Sequence, residues 1–261
     1  EITTRLVGSE MCIRDRTTIV SNLKDDGYTC IAMHPYYETG WSRNLVYPHI
    51  GFDEMHFIDY FDQTKILREY ITDQELYDKI IKRYENRKNN EKLFFMGITM
   101  QNHGGYTETY DNFPENYYKV GRSYTDANQY LSLVHESDEA VKNLISYFSK
   151  VDDPVEIIFF GDHQPSLNSN FYPILNGKGL TGLTEDELEK LYTVPFFIWT
   201  NYDTPEETVD ITSLDYLSTM ALERAGIELP AYNKFLADMQ EVVPAINSRG
   251  YYSKSKGCYL H

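Results

Sequence analysis

Residues 157–165 read Ile-Ile-Phe-Phe-Gly-Asp-His-Gln-Pro, and this stretch determines the fold class that we expect. Its four consecutive apolar residues predict a buried strand. Gly161 ends that strand, and Asp162 and His163 follow at its carboxyl end, where open α/β sheets bind their ligands. A carboxylate beside an imidazole suits Zn²⁺, Mn²⁺ or a similar divalent ion. The alternative is an Asp that caps a turn beside an exposed His.

Outward from this stretch, apolar runs alternate with helical patterns along the chain. Strands are predicted at 28–33, 93–100, 155–160 and 194–200. Helices are predicted at 18–26, 72–86, 125–150, 185–191, 213–225 and 231–238. Residues 35–62 and the tail after residue 243 are expected to be irregular. We therefore predict an α/β fold with a mostly parallel central sheet and helices on both faces.

Composition and charge restrict the possible partners. At 261 residues the chain is long enough for one α/β domain or two small ones. The formal net charge of −16 argues against nucleic acid, which needs a basic surface, and against broad attachment to anionic lipid. An anionic substrate would need a local binding device, such as a metal ion or a single arginine. The three cysteines have no metal-ligand spacing and indicate no particular redox compartment.

The first residues differ in character from the rest of the chain. Residues 1–7 show neither helical nor strand periodicity, and residues 8–16 resemble a translated sequencing adaptor. We expect residues 1–16, including Cys12, to be a non-native or disordered leader; the alternative is an ordinary N-terminal segment. The sequence contains no run of 18 apolar residues and no signal-peptide pattern.

Three histidines follow predicted strands, namely His34, His103 and His163. Because the carboxyl ends of parallel strands meet at one edge of a sheet, we expect the three imidazoles at the same edge. Imidazoles so placed can bind a metal or move a proton. Taken alone, His34 could instead be a loop histidine with satisfied hydrogen bonds.

The loop after the first strand carries Trp41 and Arg43. Arg is a fork-shaped donor for an anionic phosphoryl or sulfuryl group, and Trp is a flat platform for a glycerol or sugar. The alternative is a surface salt bridge beside a packing Trp. Gly104 and Gly105, just after His103, either let the backbone approach a ligand closely or form a plain turn.

With these motifs in place, the chain resembles the lipoteichoic acid synthase family, phosphoglycerol transferases of the alkaline phosphatase and sulfatase superfamily. The resemblance covers about residues 18–252. It rests on three motifs in the same order: His34-Pro-Tyr-Tyr-Glu-Thr-Gly-Trp-Ser-Arg43, Thr99-Met-Gln-Asn-His103 and Phe160-Gly-Asp-His-Gln-Pro165. It implies an alkaline phosphatase- or sulfatase-like fold, with residues 17–261 forming part of a catalytic domain.

The resemblance also implies roles for individual residues. Asp162 and His163 would be ligands of one divalent ion, Mn²⁺ first, with Mg²⁺ or Zn²⁺ as alternatives. His103 would be catalytic, in contact with the phosphoryl oxygens or with the leaving or entering oxygen. The residues that hold the glycerol phosphate headgroup would be His34, Trp41, Arg43 and His103.

By the same likeness, the parent protein would transfer phosphoglycerol from phosphatidylglycerol to a polyol, glycolipid or teichoic-acid-type acceptor. The reaction would take place at the extracellular face of a bacterial cell membrane. Two alternatives remain: a sulfatase- or phosphodiesterase-type hydrolase, and a catalytically inactive fragment that binds the headgroup.

The sequence departs from the family pattern in three places. Tyr36 stands where the family has an acidic headgroup contact. The family's nucleophilic Thr and an acidic metal ligand lie upstream of the matching region, so we expect the chain to be truncated. Its membrane attachment would then depend on missing transmembrane segments. No Cys or Ser has the context that sulfatases convert to formylglycine, and Cys30 is expected in the core.

Overall fold

The structure is a computed structural model that describes residues 18–113 and 124–260. It divides into two compact units, with the boundary between Tyr147 and Phe148. The leader expected at 1–16, with Cys12, lies outside the described residues. The assignment of residues 17–261 to one partial catalytic domain stays a prediction.

The first unit is an α/β structure. Its strands are β1 Tyr28–Met33, β2 Glu54–His56, β3 Ile66–Leu67, β4 Tyr70–Ile71 and β5 Lys92–Gly97. Its helices are α1 Ile19–Asp25, α2 Arg43–Ile50, α3 Asp73–Glu85 and α4 Thr125–Phe148. The strands β2, β1 and β5 form a parallel sheet in that order, and β3 and β4 form an antiparallel hairpin.

The central strand β1 forms the core of this sheet. Its last four residues, Cys30 to Met33, are at most 1% exposed. Helix α1 packs on β1 and α3 packs on β5. The packing on β5 is close, because a Cβ atom at Gly97 would lie 3.3 Å from Cδ1 of Ile80. The prediction of an α/β fold with a parallel sheet is confirmed, and so is the core position of Cys30.

Side-chain caps place two of the helix starts close to where the sequence predicts them. The Thr18 hydroxyl accepts a hydrogen bond from the Ser21 amide, and the Ser21 hydroxyl accepts one from the Thr18 amide. This reciprocal capping box begins α1 at the next residue. The Thr72 hydroxyl likewise accepts from the Glu75 amide at 3.3 Å, and α3 begins at residue 73.

The prediction of an irregular loop over 35–62 is wrong. This segment contains α2, the edge strand β2 and short 3₁₀ turns. Strand β2 has only three residues, so the sequence gives little signal for it. The strand is held in place by backbone pairing and by Asp53. The Asp53 carboxylate accepts from the Cys30 amide at 2.9 Å and forms an ion pair with Lys24 at 2.7 Å.

The second unit also combines strands and helices. Its strands are β6 Glu156–Phe160, β7 Phe196–Thr200, β8 Ala245–Ile246, β9 Tyr251–Ser253 and β10 Cys258–Leu260. Its helices are α5 Tyr172–Asn176, α6 Glu185–Glu189, α7 Leu217–Arg224 and α8 Ala231–Val242. Strands β6 and β7 pair in antiparallel orientation, and β8, β9 and β10 form an antiparallel sheet.

Two expectations are corrected in this unit. The tail after residue 243 is not irregular, because its short strands β8, β9 and β10 pair with one another. None of these strands has a long apolar run that would have predicted it from the sequence. His163 follows β6, which belongs to a different sheet from β1 and β5. The expected shared sheet edge therefore applies to His34 and His103 only. Strand periodicity does not specify the pairing partner or direction of a strand.

Candidate functional site

His34 lies directly after β1 and is 1% exposed. Its Nδ1 is 3.0 Å from the carbonyl oxygen of Ile98, so Nδ1 carries the ring proton in the neutral form. Burial, with Arg43 nearby, lowers the pKa of His34 to about 4. The ring is therefore neutral at physiological pH. Its Nε2 is buried and has no hydrogen-bond partner among the described residues, so its lone pair is unsatisfied.

Trp41 and Arg43 lie at the turn that leads into α2. Trp41 and Ser42 both have left-handed backbone angles, with φ of 53° and 57°. The turn leaves the Trp41 side chain 58% exposed. The Arg43 guanidinium carbon lies 4.5 Å from the centre of the indole ring. Arg43 Nε donates to the Tyr47 hydroxyl at 2.8 Å, so the guanidinium is held in place by a neutral partner.

His103 lies in the loop after β5, and its ring is next to Trp41. The two ring centres are 5.9 Å apart in an edge-on arrangement, and the His34 ring is also 5.9 Å from the indole. The Tyr70 hydroxyl is 3.3 Å from His103 Nδ1. The structure thus brings together all the residues predicted to hold the headgroup: His34, Trp41, Arg43 and His103.

Arg68 fixes the loop that carries His103, and sequence reasoning missed it. It is 5% exposed and has a left-handed φ of 56°. Its Nη2 donates to the carbonyl oxygens of Gln101 and His103, at 3.1 and 2.7 Å. Its Nη1 donates to the carbonyl oxygen of Gly105 and the side chain of Gln129, at 2.8 and 2.9 Å. One arginine between two short strands gives no sequence signal for such a role.

A buried carboxyl group lies behind the same loop. The Asp73 amide donates to the Gln101 side chain at 3.1 Å, and the Ser137 hydroxyl donates to Asp73 Oδ2 at 2.5 Å. Asp73 Oδ1 is buried and has no hydrogen-bond partner within the described ranges. Burial raises the pKa of Asp73 to about 6. The folded protein therefore holds a proton on this group at pH values where the unfolded chain has lost it.

We expect Asp73→Asn to change the pH dependence of stability. The raised pKa means that wild-type stability from this group is full below the ordinary pKa of 3.8 and is lost as the pH rises from there through about 6. An amide does not titrate, so the variant should gain up to about 3 kcal/mol relative to wild type between about pH 3 and pH 7. Urea unfolding across this pH range measures the difference. A constant difference between the two proteins would contradict the assignment.

Asp162 and His163 lie after β6 in the second unit. Their side chains are 84% and 76% exposed. The approach of Gly161 to Val194 is close, since a Cβ atom at Gly161 would lie 3.0 Å from Val194 Cβ. This close approach favours a glycine where β6 ends, and the pair is presented at the surface just beyond it.

The geometry of this pair fits a cation. His163 Nδ1 is 3.0 Å from the Gln164 carbonyl oxygen, which can only accept, so in neutral His163 the lone pair is on Nε2. That atom is 3.4 Å from Asp162 Oδ2. This separation is compatible with both atoms lying about 2.1 Å from one ion. Within residues 18–113 and 124–260, no group of three or more His, Cys, Asp or Glu side chains is arranged to hold a metal.

Comparison with known proteins identifies the family. The model of the sulfatase family matches residues 10–227, most of the chain. The chain belongs to the sulfatase family. This sulfatase-family chain is 33% identical over 149 residues to a capsular polysaccharide biosynthesis protein, RkpI, of Rhizobium meliloti, covering 56% of the chain and 26% of the relative. It is 30% identical over 146 residues to the lipoteichoic acid synthase of Staphylococcus saprophyticus, covering 54% and 22%.

A solved structure supports the fold of this sulfatase-family chain. The Streptococcus pyogenes phosphoglycerol transferase GacH, in complex with sn-glycerol-1-phosphate, superimposes with a TM-score of 0.65 at 22% identity. The match covers 85% of this chain and 56% of GacH. The chain spans about a third or less of the curated relatives that it matches. No helix in the part of the chain that the structure describes is long and apolar enough to cross a membrane.

Proposed function

We propose that the protein containing this chain is a metal-dependent phosphoglycerol transferase. It takes the phosphoglycerol group from phosphatidylglycerol and passes it to a glycolipid or another polyol acceptor of the teichoic-acid type. Such products lie outside the cell, so we place the catalytic domain at the extracellular face of a bacterial cell membrane. The observation that carries this proposal is the cluster of His34, Trp41, Arg43 and His103 within the first unit.

The cluster suits a glycerol phosphate headgroup for separate chemical reasons. Arg43 supplies charge-assisted donors to the phosphate, and the Trp41 ring beside it covers the carbon atoms of the glycerol. The unpartnered Nε2 of His34 accepts a hydrogen bond from a glycerol hydroxyl. Because the pKa of His34 is about 4, this acceptor is available at physiological pH.

His103 is the group that moves a proton in this proposal. When the Tyr70 hydroxyl donates to Nδ1, the ring proton of neutral His103 is on Nε2. From Nε2 the neutral ring can donate a hydrogen bond to a phosphoryl oxygen, and a ring protonated on both nitrogens can give its Nε2 proton to the leaving oxygen. His103 is exposed, so both a substrate and water can reach it.

Asp162 and His163 would hold one divalent ion, with Mn²⁺ as the first candidate and Mg²⁺ or Zn²⁺ as alternatives. When bound, such an ion supplies positive charge that stabilises the phosphoryl group and lowers the pKa of an attacking hydroxyl. Gln164 supports the pair, because its carbonyl oxygen orients His163 with Nε2 towards Asp162.

The full-length protein in phosphatidylglycerol vesicles with Mn²⁺ tests the proposed reaction. We expect release of diacylglycerol together with transfer of phosphoglycerol to an added glycolipid. Release of free glycerol phosphate with no transfer would assign the protein to the hydrolases instead. Absence of any diacylglycerol release would contradict the proposed donor.

Arg43→Met tests the headgroup site directly. We expect the affinity for sn-glycerol 1-phosphate to fall at least tenfold, because a charge-assisted hydrogen bond contributes about 1.5–3 kcal/mol. Isothermal titration calorimetry measures the change. The matched control is Lys142→Met, which removes a positive charge that is paired with Glu139 on the surface of α4. Equal affinities in the two variants would rule out a phosphate contact at Arg43.

A further inference from the structure

The Asp162–His163 pair lies on a loop that follows β6. Residues 162–171 of this loop form neither helix nor strand, so sheet pairing does not hold the pair in place. The side chain of the next residue, Gln164, reaches across 29 residues of sequence, and its amide donates to the carbonyl oxygen of Thr193. This hydrogen bond ties the loop to the segment that leads into β7.

Thr193 is held in turn by the 3₁₀ turn that follows α6. Its amide and its hydroxyl both donate to the Lys190 carbonyl oxygen, at 3.3 and 2.8 Å. Lys190 directly follows Glu189, which is the last residue of α6. A connected path of hydrogen bonds and backbone therefore runs from the loop of the pair to the end of α6.

Glu189 is a buried carboxylate with an ionic partner. Its side chain is 2% exposed, and glutamate is rarely buried to this extent unless it is paired. Arg249 Nε donates to Glu189 Oε1 at 2.9 Å, and Asn247 Nδ2 donates to Oε2 at 2.5 Å. Both partners lie in the turn between β8 and β9, so this turn holds the end of α6.

The turn between β8 and β9 is organised to make this contact. The side-chain oxygen of Asn247 accepts from the amides of Arg249 and Gly250, at 2.8 and 3.1 Å. Arg249 Nη2 also donates to Glu185 at the start of α6, and its guanidinium carbon lies 5.9 Å from the centre of the Tyr192 ring. One arginine thus contacts both ends of α6 and the 3₁₀ turn after it, and such directional contacts fix geometry as well as adding energy.

We propose that Gln164 and Arg249 are positioning residues for the Asp162–His163 pair, with the turn at 247–250 setting the backbone from which the pair binds its ion. The inference rests on the proposed function and on the metal role that it gives the pair. A loop binds its ion only while it has the competent conformation. If the loop were competent in about one molecule in ten, the observed affinity would fall about tenfold.

The test uses the full-length protein with Mn²⁺ alone as the ligand, so it needs no turnover. We expect Gln164→Leu and Arg249→Met each to lower the Mn²⁺ affinity about tenfold in isothermal titration calorimetry. The electron paramagnetic resonance lines of the bound Mn²⁺ should broaden, because a loop with several conformations gives the ion several geometries. Arg249→Lys keeps the charge but lacks the planar fork, so it should recover part of the affinity.

Two matched controls separate positioning from a loss of stability. Gln240→Leu removes a side-chain amide that donates to the Thr212 hydroxyl at 2.9 Å, and Arg224→Met removes an arginine that is paired with Glu207. Both controls lie in the second unit and outside the path described above. We expect both to keep the wild-type Mn²⁺ affinity, even where urea unfolding shows a lower stability.

Gln164 is exposed, so Gln164→Leu keeps the proposal testable if Arg249→Met does not fold. Equal Mn²⁺ affinities and line widths in the test variants and the controls would overturn the positioning role and leave the proposed function standing. An effect of Gln164→Leu alone would overturn the role of Arg249. Absence of Mn²⁺ binding by the wild-type protein would overturn the positioning role together with the metal assignment. The expected Mn²⁺ results without diacylglycerol release by the wild-type protein would support the positioning role and overturn the proposed reaction.

Discussion

Asp162→Ala and His163→Ala should each reduce metal-dependent diacylglycerol release by the full-length protein about a thousandfold or more. The reason is that these two side chains would supply ligands to the ion that stabilises the phosphoryl charge, a contribution of several kcal/mol. The affinity for Mn²⁺, measured by calorimetry, should fall in parallel. Both side chains are highly exposed, so the free energy of unfolding should change by no more than about 0.5 kcal/mol.

Two substitutions at other positions control for charge and for loss of an imidazole. Asp152→Ala removes an exposed carboxylate from the same unit, and His49→Ala removes a histidine near the end of α2. We expect both to keep wild-type Mn²⁺ affinity. If Asp162→Ala and His163→Ala bound Mn²⁺ as tightly as these controls, the two residues would not be metal ligands.

Arg68→Met should lower the free energy of unfolding by about 3–5 kcal/mol and weaken binding of glycerol phosphate. Met has a similar length but cannot donate, so the carbonyl oxygens of residues 101, 103 and 105 would lose partners inside the protein. Because the backbone of His103 is one of these acceptors, its ring should also move relative to Trp41. Urea unfolding measures the change in stability, and the NMR chemical shifts of the His103 ring report its movement.

The comparison protein is Lys65→Met, which makes the same change in charge at an exposed position just before β3. Arg68→Lys keeps the positive charge but lacks the planar fork, so we expect partial recovery of stability. If Arg68→Met were as stable as Lys65→Met, with unchanged chemical shifts of the His103 ring, Arg68 would have no positioning role.

Where the sequence succeeded, the signal was local. The apolar run at β1 and the Thr18 cap of α1 depend on neighbouring residues only, so their positions follow from pattern. Strand β2 and the tail strands β8 to β10 were missed because two or three residues carry too little periodicity. The antiparallel pairing of β7 with β6 could not be predicted either, since the hydrophobic pattern of a strand indicates its burial but not its partner.

The residues of the candidate site were likewise predictable only where the signal was local. His34 and His103 could be found because each follows an apolar run, and Trp41 and Arg43 because their side chains suit a phosphorylated headgroup. Arg68 and Tyr70 could not be found, because they act across 33 or more residues of sequence through backbone carbonyls and one hydroxyl. Long-range hydrogen bonds of this kind leave no periodic trace.

The turn at Trp41 and Ser42 places two consecutive non-glycine residues in the left-handed region. Each such residue costs about 1 kcal/mol or more relative to an ordinary backbone conformation. A glycine at position 41 or 42 would lower this conformational cost. At position 41, however, it would also remove the exposed indole ring. Stability and ligand recognition therefore favour different residues at position 41. Selection for thermal stability alone would tend to replace Trp41 and so remove the ring surface for the ligand.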